Sequence, residues 1–266
     1  MFSSVAPFGV VGVNAVLPAD VPPDPTATFP GRGVRHAVRV TVAGTGAGAS
    51  ADVERGRALV LSRTRLQRPP AVPELLLHLA EGMDPLWEDL ARELDDGDLP
   101  PPFWAFAWLG GQALSRYLLD HPAEVQGRTV LDLATGSGLC ALAAARTGAA
   151  HVLAVDVDPF CAAAVALNGE ANGLSVQFIG HDLLDDPPPG VEVVLAGDVL
   201  YDARMSARVL PWLRAAHDAG ARVLLGDPVR HYLPSAGLVL LDEHDVDTSR
   251  DLEGVTRKRV RVLTFG

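Results

Sequence analysis

The stretch Leu131-Asp132-Leu133-Ala134-Thr135-Gly136-Ser137-Gly138 constrains this chain more than any other. An apolar run ends at an acid and passes into small residues. These let the backbone turn tightly and approach a ligand, and the helix that follows can offer its first amides to it. The chain then repeats the theme. TVLDLA, HVLAVDV, VQFIG, VEVVLAGD and ARVLLGD are short β-branched or Leu-rich runs, separated by helix-like segments at about 139–147, 160–171 and 203–218. Apolar runs without strict alternation predict strands buried on both faces, as in a parallel sheet. Leu238–Glu243 and Arg257–Phe265 have no long helix between them and predict an antiparallel hairpin at the edge. The expected fold class is α/β, a doubly wound, Rossmann-like mixed sheet.

Upstream the pattern changes. Residues 1–62, with ADVPPDPTATFPGRG and VAGTGAGASA, hold no sustained period and predict a flexible extension, with at most a short strand around Val38–Val42. Residues 63–127 predict an N-terminal helical segment, and 128–266 the ligand-binding core. Within 63–127 one helix is expected at Pro73–Leu79. A second begins at Asp84-Pro85, where Asp can cap, carries Leu86, Leu90 and Leu94, and stops before Pro100–Pro102.

Charge narrows the function. The 266 residues carry a net charge of −11, although residues 1–68 hold eight Arg against four acids. The remainder is therefore strongly acidic, which disfavours a nucleic-acid backbone as partner and favours a basic partner or a small molecule. Cys140 and Cys161 sit in Ala-rich apolar runs outside any ligand spacing, so no structural metal is expected. With no apolar stretch approaching about 18 residues and no basic leader, the expectation is a cytoplasmic, monomeric protein without membrane contact.

Gly136, Gly138 and Ala141 also satisfy GxGxxA, so the loop alone fits a dinucleotide site. Asp132 separates the readings: a carboxylate at the strand end repels a pyrophosphate but suits an ammonium or sulfonium. Asp156, at the end of the second strand, can accept from both ribose hydroxyls of any adenosine ligand. Asp182 can accept from an adenine amino group, and Val157 and Leu183 are their neighbours in the expected cofactor site. Asp158-Pro159 reads as a helix start.

With these residues in place the chain resembles the class I S-adenosylmethionine-dependent methyltransferases. More narrowly it is similar to the electron-transfer-flavoprotein β-subunit lysine methyltransferase family. The discriminating parts are the run from Pro101 to Leu114, which holds Trp108, Gly110 and Gly111, then Gly197-Asp198-Val199-Leu200-Tyr201-Asp202, then Gly226-Asp227-Pro228. Leu109 stands where the family usually has Pro, and Ala134 and Val229 stand where it usually has Gly. The resemblance implies seven strands with the last inserted antiparallel. It further implies S-adenosyl-L-methionine as cofactor, held by Trp108, Gly110, Gly111, Asp132, Ala134, Thr135, Gly136, Gly138, Asp156, Val157, Asp182, Leu183 and Asp198. Asp198 and Tyr201 are implied as the catalytic pair where the methyl group is transferred.

The implied reaction is in-line displacement by a neutral lysine amine, with Asp198 orienting the amine and Tyr201 shaping the tunnel. Trp108 and Tyr201 can offer aromatic faces to a cation, whereas Phe103, Trp104 and Phe106 are expected in the core. The implied partner is a lysine-bearing protein: the electron transfer flavoprotein β subunit or a ribosomal protein. L11-type methylation and a small-molecule amine acceptor are alternatives, and Asp242, Glu243, Asp245 and Asp247 are a candidate docking edge. An NAD(P)-dependent oxidoreductase is a further alternative, but the chain has no Tyr-xxx-Lys pair and its single lysine is Lys258. A cofactor-binding module without catalysis is the last.

Overall fold

The computed structural model describes residues 47–266, with side chains from Glu54 onward. Helix α1 (Ala47–Arg63) leads into a small antiparallel hairpin, β1 (Arg65–Gln67) and β2 (Leu77–Leu79). Helices α2 (Met83–Leu94) and α3 (Leu109–Asp120) follow. The main sheet then alternates with helices: β3 (Thr129–Leu133), α4 (Leu139–Arg146), β4 (His151–Val155), α5 (Pro159–Asn172), β5 (Gln177–Ile179), β6 (Val193–Gly197), α6 (Ala203–Asp218) and β7 (Arg222–Asp227). It closes with β8 (Leu238–Asp247), the one-turn α7 (Arg250–Glu253) and β9 (Arg257–Phe265).

Spatial order is β5-β4-β3-β6-β7-β9-β8. The first five are parallel, and β9 inserts antiparallel between β7 and β8. This is the doubly wound mixed sheet expected from the strand–helix alternation, with the seven strands and antiparallel insertion that the resemblance implied. The central strands are covered on both faces, and Val130, Leu131, Val193, Val194 and Leu195 are fully buried.

Three N-terminal expectations are corrected. Residues 47–62 belong to α1, not to a flexible extension; the rest of that extension, including the strand expected around Val38–Val42, lies outside the described residues. Helix α1 forms because it has a surface to dock on. Its Gly56 lies close enough to α5 that a β-carbon there would sit 3.3 Å from that of Ala163, and Leu59 and Val60 are buried. Arg57 places both terminal nitrogens 2.8 Å from the Glu170 carboxylate, fixing register more than adding stability. Second, Pro73–Leu79 is not a helix but a turn running into β2. Leu75, Leu77 and Leu79 are buried in alternation, the period of a strand, and the amides of Leu76 and His78 donate to Asn172 and Asn168 of α5. Third, α2 starts where expected, but Gly82 occupies the cap position and Asp84 lies in the first turn, where its charge complements the helix dipole.

Helix α3 crosses β6, β7 and β9 at close range. A β-carbon on Gly110 would overlap the Gly226 carbonyl, and one on Gly226 would overlap the Gly110 carbonyl. These paired glycines bring the start of α3 onto the ends of the central strands. Among the described residues no helix is long and apolar enough to cross a membrane.

Candidate active site

A cavity of about 510 Å³ opens at the carboxyl ends of β3, β4 and β6, where the strand order reverses. Ligands of open α/β sheets bind in this crevice. Of the residues expected to hold the cofactor, the structure brings Trp108, Gly111, Asp132, Ala134, Thr135, Gly136, Asp156, Val157, Asp182, Leu183 and Asp198 to its wall, with Tyr201 beside them. Gly110 and Gly138 lie behind it. Gly110 serves the α3–β7 approach, and Gly138, at φ +81°, caps α4 against Val165 of α5.

Each carboxylate is oriented by the loop it faces. Asp132 is buried; its Oδ2 accepts from the Thr135 hydroxyl at 2.5 Å and the Ala141 amide at 3.0 Å. Burial pushes its carboxyl up to about 7 against those stabilising hydrogen bonds. Asp156 accepts from the Gly136 amide at 2.9 Å and the Asp158 amide at 3.0 Å, so it ties the first loop to the second. Asp158 caps α5 through the Phe160 amide at 2.8 Å, as expected for a helix start, and also reaches the cavity wall. Asp182 is already occupied. Its Oδ1 takes the Leu184 amide at 3.1 Å and its Oδ2 the Arg208 guanidinium at 2.8 Å. Burial acts to raise its pKa, but the Arg208 hydrogen bond and its companions outweigh that and hold it low.

Asp198 follows β6 at φ +58°, with only 7% of its surface exposed. Its Oδ2 accepts from the amides of Gly110 and Gly111, the second and third residues of α3. Trp108, at the cap position of that helix, offers no side-chain acceptor, so Asp198 caps α3 from a distant strand. Its Oδ1 takes Nη2 and Nε of Arg230 at 2.8 and 3.1 Å. Burial raises its carboxyl, while the Arg230 charge and hydrogen bonds work against that rise.

The mouth is aromatic. Trp108 donates its indole N–H to the Phe103 carbonyl at 3.0 Å, and their rings meet edge-on at 5.6 Å. The Phe103 ring lies 5.4 Å from that of Tyr201, which is 43% exposed. Trp104 and Phe106 are buried as expected, but Phe103 is only partly buried and lines the cavity, a correction to its expected place in the core.

Sequence reasoning missed Asn168, fully buried, whose Nδ2 donates to the Ser137 carbonyl while its Oδ1 holds β2. The signal was available: Asn168 and Asn172 are spaced i,i+4 in a helix that is otherwise apolar apart from Glu170. The acids of the hairpin edge are matched by cross-strand arginines. Glu243 pairs with Arg261 at 3.0 Å, Asp245 with Arg259 at 3.4 Å and Asp247 with Arg257 at 3.4 Å, while Asp242 faces His244 at 3.3 Å. They form a charge ladder rather than a free acidic edge.

Ala134 and Val229 occupy the left-handed region, at φ +54° and +60°. Both stand where the resembled family has glycine, the residue that adopts this conformation without a steric cost. Val229 is β-branched and 48% exposed, so its side chain returns little packing for that strain. Val229→Gly is therefore expected to stabilise the protein by about 1 kcal/mol, raising the melting midpoint by roughly 2–4 °C. A calorimetric midpoint at or below that of the wild type would refute the strain argument.

The wall chemistry fits S-adenosylmethionine. The cavity's two arginines each face two acids: Arg208 meets Asp182 and Asp185, and Arg230 meets Asp198 and Glu253. A diphosphate would meet Asp132 and Asp156 with no free cation beside them, whereas an ammonium would meet its complement. Fold and site together define a class I S-adenosylmethionine-dependent methyltransferase.

Comparison with known proteins agrees. The family model for ribosomal protein L11 methyltransferase matches residues 112–201. The electron transfer flavoprotein beta subunit lysine methyltransferase of Xenopus laevis is 38% identical over 65% of this chain and 70% of its own length. The Caenorhabditis elegans homolog is 33% identical over 65% and 77%. The rat enzyme is 40% identical, and the chain spans 62% of its length. The chain belongs to the electron transfer flavoprotein β-subunit lysine methyltransferase family.

Proposed function

We propose that this protein methylates lysine side chains of a protein substrate, with the β subunit of electron transfer flavoprotein as the preferred target. The observation that carries the reading is the 38% identity to the frog enzyme of that name over 65% of this chain and 70% of its own length. The site supports it. S-adenosylmethionine would supply an activated methyl group on a sulfonium. Asp132 would face its ammonium, Asp156 its ribose hydroxyls, and Trp108 would lie along it. The chain's own contribution is positional. Phe103, Trp108 and Tyr201 form a mouth that admits the slender stem of a lysine and presents aromatic faces to its cationic end. Asp198 holds one wall of that mouth in place, its charge balanced by Arg230, and Tyr201 meets the amine. A cytoplasmic, monomeric working state belongs to the same reading.

Ribosomal protein L11 is the second candidate, supported by the family-model match and by the Xanthomonas axonopodis pv. citri L11 methyltransferase, 36% identical over 52% of this chain. Purified enzyme with labelled S-adenosylmethionine and each candidate protein decides between them. Label is expected on lysine of the flavoprotein β subunit; label on L11 alone would move the assignment. In parallel, S-adenosylhomocysteine is expected to raise the melting midpoint by several degrees at a hundredfold excess over Kd, about 2.7 kcal/mol, and NAD to leave it unchanged. The reverse pattern would refute the cofactor assignment.

A further inference from the structure

The connection between β8 and β9 sends an acidic side chain inward. Glu253, the last residue of α7, keeps 4% of its side chain exposed and lies between two cations. Its Oε1 is 2.9 Å from Nη2 of Arg230, and its Oε2 is 3.4 Å from Nζ of Lys258, the chain's single lysine. Nη2 of Arg230 also meets Asp198, and Asp198 accepts the amides that start α3. An unbroken run of alternating charge therefore links a surface connection to the helix whose cap residue is Trp108. Closing a hairpin does not require this. Connections normally keep their acids in water, and burying a carboxylate costs several kcal/mol unless it is paired.

Arg230 needs the arrangement. It lines the cavity, and Asp198 alone fixes its guanidinium from one side. Glu253 supplies the second anchor. The other acid beside it is Asp227 of β7, whose Oδ1 accepts the Arg230 backbone amide at 2.6 Å and leaves the guanidinium free. We infer that Glu253 is a positioning residue for methyl transfer, acting through Arg230 to hold Asp198 and the start of α3 at the mouth of the cavity. The inference rests on the methyl-transfer reading above.

The charges give it a signature that a merely structural contact lacks. Asp198, Arg230, Glu253 and Lys258 balance. Glu253→Gln leaves an excess positive charge behind Asp198, which disfavours a protonated lysine at the mouth. Lys258→Gln leaves an excess negative charge, which favours it. The acid limb of the kcat–pH profile is therefore expected to move down in Glu253→Gln and up in Lys258→Gln, by roughly half a pH unit each. Glu253→Gln is also expected to lower kcat about tenfold and to leave the Kd for S-adenosylhomocysteine within about twofold. Hydrogen exchange of the segment 108–112 should be about tenfold faster in the variant, with β3 unchanged.

Exchange at 108–112 equal to wild type would overturn the inference, and so would limbs that move in the same direction. A fall in cofactor affinity matching the fall in kcat would reduce Glu253 to a structural contact, with the same result. If the wild-type enzyme labels none of the offered proteins, the substrate reading fails, while the exchange comparison still decides the role of Glu253.

Discussion

Asp198→Ala is expected to cost about 3 kcal/mol of stability, to lower the melting midpoint by roughly 10 °C, and to reduce methyl transfer at least a hundredfold. The size follows from what the carboxylate holds. Both oxygens are engaged: one caps the second and third amides of α3, and the other is chelated by Arg230. Truncation leaves buried amides without an acceptor and Arg230 with one anchor instead of two. Helix α3 then loses the attachment that sets Trp108 against the cavity. Asp198→Asn separates geometry from charge, because its amide oxygen can still accept from Gly110 and Gly111. Its midpoint should fall by only a few degrees, with transfer still impaired because Arg230 has lost one of its two counter-charges. Thermal melting and single-turnover transfer, measured on both variants, decide the matter. A wild-type midpoint for Asp198→Ala would show that the cap contributes nothing.

Asp132→Asn is expected to move stability and binding in opposite directions. Asp132 is fully buried, with its carboxyl pushed up to about 7 by burial. Its pKa is thus higher in the folded chain than the ordinary 3.8. The stability linked to this group is fully present below that ordinary value and is lost as pH rises through about 7. The difference corresponds to roughly 4 kcal/mol between acid and alkaline limits. Asparagine removes that loss. Both recorded partners of Asp132, the Thr135 hydroxyl and the Ala141 amide, donate to one oxygen, which a carboxamide also offers. The variant should therefore be more stable than the wild type at pH 8, with the advantage shrinking towards pH 5. Cofactor binding should show the reverse. An ammonium needs the ionised acid, so wild-type affinity should rise with pH through about 7. The variant should bind at least about tenfold more weakly, with no such pH dependence. Calorimetric titration across pH 5.5–8.5 is the measurement, and parallel pH profiles for the two proteins would exclude Asp132 as the ammonium partner.

The sheet was legible because its strands are buried on both faces. Continuous apolar runs closing near Gly or Asp mark a parallel strand and its exit loop wherever they occur. The acids at those ends were legible for the same reason: Asp132, Asp156 and Asp198 sit at strand ends, where the fold class puts ligands. The hairpin of β8 and β9 followed from the lack of a helix between two β-rich runs.

The N-terminal third was harder to read. Helix α1 carries too many Gly and Ser to declare itself, and it exists because α5 offers Ala163 and Glu170 to dock against. Strand β2 was mistaken for a helix because Leu75–Leu79 is Leu-rich, and composition outweighed the alternation that burial then revealed. Phe103 was assigned to the core by its neighbours, yet a single turn of 3-10 helix rotates it to the mouth while Trp104 goes inside.

Sequence by itself determined the doubly wound sheet, the small-residue loop after its first strand and the acids around the cavity, because each is written in residues close together along the chain. Only the tertiary structure decided what those acids do. Asp198 meets Gly110 across 88 positions and Arg230 across 32, and Glu253 reaches Arg230 across 23. No local pattern records such pairings. A carboxylate that is free on paper becomes a helix cap or an ion-pair partner once folding removes water and leaves it one place to satisfy its charge.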